Sequence, residues 1–140
     1  MPLQYHLPLL MLGLALPLTP ALAQSPSDGN ALLHNCSLVV KMADDDAVRM
    51  SPIDNLNAGS CMGLVRGIMD TMTLWQSVDP GGVVDNSAMH GCIPDSVKTI
   101  QGARVVVKYL NDHPERLQVP DTRLVLMAMV DAFPCSKESR

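Results

Sequence analysis

The chain has 140 residues, 47% of them hydrophobic and 17% charged, with a formal net charge of −4. That length holds one domain and excludes a large multidomain enzyme, and the apolar content excludes a disordered chain. Net negative charge with 3% aromatic residues argues against a nucleic-acid binder, which needs basic patches and stacking platforms.

Residues 1–23 carry no charged side chain, and Leu7 to Leu18 is an apolar run followed by Ala21-Leu22-Ala23. Small-x-small after a short apolar run is what signal peptidase cuts, so 1–23 is expected to be a signal peptide, cleaved before Gln24. The run is interrupted by Pro8 and Pro17 and is short for a membrane span of roughly 20 residues. The remaining 24–140 is expected to form one exported domain. It holds all four cysteines, Cys36, Cys61, Cys92 and Cys135, and an oxidising compartment makes them structural disulfides.

Leu32, Cys36, Val39, Val40 and Ala43 fall at spacings of 4, 3, 1 and 3 from Asn30 onward, one face of an amphipathic helix. The run Asp44-Asp45-Asp46 ends it, because carboxylates at a helix C-terminus oppose the macrodipole. The same carboxylates suit the start of a short second helical turn, and residues 51–57 are turn-rich. A second long helix is predicted from Ala58 to Gln76, with Cys61, Leu64, Val65, Ile68, Met72 and Trp75 as its apolar stripe. Gly63 and Gly67, four apart, are expected to let another helix pack closely. Residues 77–93 contain Asp79-Pro80-Gly81-Gly82 and no helical period, which predicts a long loop.

Asp95 or Ser96 is expected to cap a third helix carrying Val97, Ile100, Ala103, Val107 and Leu110, closed by Asn111-Asp112-His113-Pro114, since the residue before proline leaves the helical region. Pro120-Asp121 opens a fourth, to about Ala132, stopped by Pro134. Its run from Leu124 to Val130 is apolar on every face, which predicts deep burial or a subunit contact. The fold class is therefore all-α, a small four-helix domain stapled by two disulfides. A short connector makes the last two helices antiparallel neighbours and pairs Cys92 with Cys135. Cys36 with Cys61 follows by elimination, although both sit early in the predicted helices, which a simple hairpin would separate.

Chemistry is hard to find in this pattern. The cysteines have no Cys-x-x-Cys spacing, and His34, His90 and His113 have no His-x-x-x-His spacing for a metal. Neither a catalytic site nor a metal site nor a cofactor is expected. Surface candidates for binding a partner are the acidic run Asp44, Asp45 and Asp46, the 79–90 loop, and the connector with His113, Glu115 and Arg116. The connector ranks first because a short segment between rigid helices is pre-organised.

Cys92-Ile93-Pro94, Gln101, Val105 to Leu110, His113-Pro114-Glu115-Arg116-Leu117 and Ala132-Phe133-Pro134-Cys135 occur in that order, after Cys36 and Cys61-x-Gly63-x-x-x-Gly67. In these blocks the chain resembles the Rap/Tai family of type VI secretion immunity proteins. It departs in Met62-Gly63-Leu64, where an aromatic would follow the glycine. The resemblance implies a periplasmic, often homodimeric helical protein that binds a peptidoglycan amidase effector and plugs its cleft. The rival class is a small periplasmic helical chaperone or stress protein with no amidase partner.

Overall fold

The computed structural model describes residues 27–78 and 91–135. The expected signal peptide and the 79–90 loop, with His90, lie outside the described residues. Four α-helices carry the fold: α1 (Gly29–Asp44), α2 (Pro52–Val78), α3 (Thr99–Asp112) and α4 (Asp121–Ala132), with a 3-10 turn, Pro114–Arg116, between α3 and α4. Among the described residues there is no strand, only the isolated bridges Asp28–Pro120 and Gly91–Pro134. The all-α, four-helix expectation is met.

α1 starts at a capped terminus. The Asp28 carboxylate accepts from the N–H groups of Asn30 at 3.0 Å and Ala31 at 3.1 Å, satisfying two donors that a helix leaves unpaired. Chiefly the Ala31 N–H, then the Asn30 side chain and backbone against a counteracting desolvation, hold the Asp28 carboxyl below the ordinary carboxylate range. A carboxyl with a depressed folded pKa stabilises above its unfolded value and stops doing so as pH falls through the folded one. Amide exchange over the first turn of α1 should therefore accelerate on acidification below the ordinary aspartate range. Asp28→Asn should flatten that dependence, and an unchanged pH profile in the variant would refute the cap's electrostatic role.

The Asp44–Asp46 run ends α1 as expected: Asp45 is the C-cap, its N–H donating to the Lys41 carbonyl. No second helical turn begins there. Asp45 instead turns the chain, its carboxylate accepting from the Ala47 N–H at 2.9 Å.

The largest correction concerns the start of α2. Residues 51–57, expected as a turn, are its N-cap and first turn. Ser51 Oγ accepts from the Asp54 N–H at 3.2 Å, and the Asp54 carboxylate accepts from Ser51 Oγ at 2.7 Å and from the Ser51 N–H at 3.3 Å. This is a reciprocal capping box with proline at the first helical position. The polar residues that suggest a turn are the ones that start the helix. Extending α2 also resolves the difficulty with Cys36 and Cys61. Cys36 lies eight residues before the end of α1 and Cys61 nine after the start of α2, so an antiparallel hairpin sets them side by side. They are bonded, with Cα atoms 5.2 Å apart.

The glycine expectation is also corrected. A Cβ on Gly63 or Gly67 would meet nothing within 4 Å, because both face solvent. The close helix approach occurs at Gly102 of α3, where a Cβ would come within 2.7 Å of Met69 Sδ and 2.9 Å of Val65 Cγ1. α3 packs against α1, α2 and α4, and its buried positions are Gly102, Ala103, Val106, Tyr109 and Leu110. The predicted stripe held Val107 in place of Val106 and missed Tyr109. α3 also starts later than predicted. Residues 94–97 form a turn in which the Val97 N–H donates to the Pro94 carbonyl at 2.9 Å, and the Gln101 side chain accepts from the Lys98 N–H at 2.7 Å. Neither Asp95 nor Ser96 is the cap.

α4 spends its apolar faces inside the protein. Leu124, Val125, Ala128 and Met129 are buried, and Leu126, Met127 and Val130 pack against the same core. Its C-terminal end is tied down by the Cys92–Cys135 disulfide and by the Cys92 N–H donating to the Phe133 carbonyl at 2.7 Å. Both expected disulfides are present.

Candidate functional site

The α3–α4 connector is built from both sides. α1 holds it from outside: the Gly29 N–H donates to the Leu117 carbonyl at 2.9 Å, and the Asn30 side chain donates to the same carbonyl at 3.3 Å. A Cβ on Gly29 would lie 2.7 Å from the Leu117 Cα, so glycine is what allows this contact. The Asp121 N–H donates to the Ser27 carbonyl at 3.0 Å, clamping the start of α4 to the segment before α1.

Tyr109 holds the connector from inside, and the sequence reading missed it. The His113 ring stacks on the Tyr109 ring with centroids 4.3 Å apart. Its Nδ1 lies 2.9 Å from the Tyr109 carbonyl; since a carbonyl only accepts, Nδ1 carries the hydrogen and Nε2 is left as the second polar atom. Arg116 Nη1 donates to the Tyr109 hydroxyl at 2.6 Å, and the guanidinium carbon sits 6.0 Å from the ring centroid. The four-residue step from Tyr109 to His113, one turn on at the end of α3, is a signal that could have found half of this cluster; Arg116 lies in the 3-10 turn beyond the helix, where that spacing rule does not reach.

His113 and Arg116 thus use polar groups internally and are only partly exposed. Glu115 differs. Its side chain is 64% exposed, touching Arg116 Nε at 3.4 Å, a surface ion pair that contributes under about 1 kcal/mol. The connector presents the Glu115 carboxylate outward on a segment held by hydrogen bonds at Leu117 and Tyr109.

The acidic run does not join it. Asp44 pairs with Arg104 of α3, Asp45 caps the turn, and Asp46 is exposed. α1 is 16 residues long, so this group and the connector sit at opposite ends of a helix of about 24 Å. The structure therefore offers two separate patches rather than one convergent site. A groove of about 290 Å³ between α2 and residues 93–99 is lined by Arg66, Asp70, Asp95 and Lys98 among others. Arg66 is already engaged by Asp70 at 2.6 Å, and no carboxylate there is poised against a base. Among the described residues no group of three or more His, Cys, Asp or Glu could hold a metal ion, and no helix is long and apolar enough to cross a membrane.

A family described as Rap1a immunity proteins matches the chain over residues 28–135. No curated protein and no solved structure matches it. The matched span opens on the α1 cap, Asp28, and closes on Cys135, so it takes in all four helices, both disulfides and the connector. By a match over well over half its length, the chain belongs to the Rap1a immunity protein family.

Proposed function

We propose that the protein is a periplasmic immunity protein, exported by the 1–23 segment, that binds and sterically inhibits a peptidoglycan amidase effector delivered by type VI secretion. The observation that carries this reading is the family match over 28–135. Inhibition needs no catalysis by the inhibitor, only a rigid surface that fits a cleft, and the protein works as a homodimer. The connector supports the docking role because its backbone is fixed at Leu117 and its side chains at Tyr109, so little ordering is lost on binding. Glu115 is the leading contact, flanked by His113 and Arg116; Asp44, Asp45 and Asp46 form the second candidate patch.

The test is co-expression in the periplasm with an amidase effector encoded in the same genome. The wild type should co-purify with it and prevent lysis. Glu115→Lys should weaken binding by about 2 kcal/mol, some thirty-fold, if the contact is a hot spot. Its melting temperature should fall by no more than a few degrees, because the side chain is 64% exposed and its ion pair with Arg116 is a surface one. Arg116→Ala is the poorer probe, since it also strips a hydrogen bond from Tyr109. Full binding by Glu115→Lys would move the docking surface to the Asp44–Asp46 end or to 79–90. A wild type that binds no amidase of its own genome would end the immunity reading.

A further inference from the structure

The two disulfides differ in what surrounds them. Cys36 and Cys61 are sealed in the core between α1 and α2. Cys92 and Cys135 are both partly exposed and lie outside that core. A thiolate has to reach a sulfur atom before it can exchange with a disulfide. For the inner bond this requires the α1–α2 hairpin to open, whereas the outer bond is within reach in the folded protein. The outer pair is itself unequal. Cys92 sits between Gly91 and Ile93, both buried, while Cys135 lies beyond the end of α4 after the exposed Pro134.

The 91–93 segment also has ties of its own. The Gly91 carbonyl accepts from Gln76 Nε2 of α2, and Gly91 forms the isolated bridge with Pro134. The Cys92 N–H donates to the Phe133 carbonyl at 2.7 Å. Ile93 is buried in the core, and a Cβ on Gly91 would run into Met72 Cε, so this backbone is seated directly on α2. Cutting the Cys92–Cys135 bond removes none of these contacts. They keep the two thiols side by side, ready to close again.

We propose that Cys92–Cys135 is a thiol–disulfide exchange site on the folded protein, open to a protein dithiol of the Cys-x-x-Cys class, and that Cys36–Cys61 is closed to it. The first thiol of the dithiol gives its proton to water, and its thiolate attacks Cys135 Sγ. A mixed disulfide forms there, the Cys92–Cys135 bond breaks, and Cys92 leaves as a thiolate that takes a proton back from water. The second thiol of the dithiol then attacks the first one's sulfur, and its proton ends on Cys135. Two electrons have passed to the protein, and the dithiol is left as a disulfide. The same steps in reverse restore the bond. The reduced state keeps the crosslinked α1–α2 hairpin and the anchors of the Glu115 connector, while hydrogen bonds alone fasten the end of α4 to residues 91–93. This site is independent of any effector.

The test treats the oxidised protein with dilute dithiothreitol and, separately, with reduced thioredoxin as the protein dithiol, alkylates samples with iodoacetamide over time, and maps the peptides. The first product should carry the label on Cys92 and Cys135 alone, with an initial rate at least about a hundred-fold above that for Cys36 and Cys61. Its helicity by circular dichroism should be kept, and its melting should stay cooperative but fall by about 15–30 °C. Oxidised glutathione should then rebuild Cys92–Cys135 with no crossed pairs. With reduced glutathione and an acid quench, the mixed disulfide should be found on Cys135. The variant C92S/C135S should fold and hold Cys36–Cys61 intact for as long as the wild type takes to lose its outer bond. Loss of both bonds together, reduction of Cys36–Cys61 first, or resistance to thioredoxin would each overturn the proposal. So would unfolding when the outer bond opens, or a glutathione adduct on Cys92. An amidase that fails to bind the protein would remove the immunity reading and leave every one of these outcomes unchanged.

Discussion

Replacing Cys36 and Cys61 together by alanine should lower stability by about 4 kcal/mol and the melting temperature by roughly 15–30 °C. Two contributions add. The bond closes a loop of 25 residues, and removing that constraint from the unfolded chain costs about 3.5 kcal/mol on the chain-entropy model. Both sulfur atoms also belong to the core, the residues being 0% and 1% exposed, so alanine leaves a small void where α1 meets α2. Against a total near 5–15 kcal/mol for a domain of this size, the α1–α2 hairpin would be left marginal. Thermal unfolding of the variant beside the wild type, without reductant, measures this. A loss below about 1 kcal/mol would mean that the capped start of α2 and its packing hold the hairpin without the crosslink.

Met129→Asp should abolish folding. Met129 is fully buried in α4, reaching under α3 close to Gly102. Truncating a buried methionine costs about 2–5 kcal/mol, and an aspartate there adds the penalty of an unpaired buried charge, several kcal/mol more. The sum equals or exceeds the stability available. The expected result is loss of soluble, folded protein, with Met129→Ala folded but less stable by about 2–5 kcal/mol in urea unfolding. Sequence alone allows a different outcome. If α4 met another subunit through Met129, Met129→Asp would yield a well-folded monomer, and that result would contradict the packing described here.

This contrast shows where local pattern loses its power. α4 is apolar from Leu124 to Val130, and a helix apolar all round is buried somewhere, but periodicity does not say by what. Here α2, α3 and the 91–93 segment that Cys92 ties to Phe133 and Cys135 surround it. α2 poses the opposite case. Its Gly63 and Gly67 suggest close packing, yet the core approaches α2 through Val65 and Met69, and it is Gly102, on the neighbouring helix, that lets α3 come near. Which glycine admits a neighbour depends on which face each helix turns inward, and that is fixed by the neighbours together.

The sequence by itself determined the features that local chemistry controls. Spacings of three and four marked the helices, three aspartates ended α1, Pro114 and Pro134 stopped α3 and α4, and an even cysteine count with a short last connector paired Cys92 with Cys135. The motif blocks from Cys36 to Cys135 pointed to the family that the matched span supports. Tertiary structure decided what depends on groups far apart in the chain. It turned Ser51–Asp54 from a plausible turn into a helix start, because a capping box and a turn use the same residues and only the packed hairpin selects between them. It made Tyr109 the anchor of His113 and Arg116, and set Asp44–Asp46 and Glu115 at opposite ends of α1. A side chain's type is local. Whether its polar atoms face a partner or the protein's own backbone is decided only when every helix has found its neighbours.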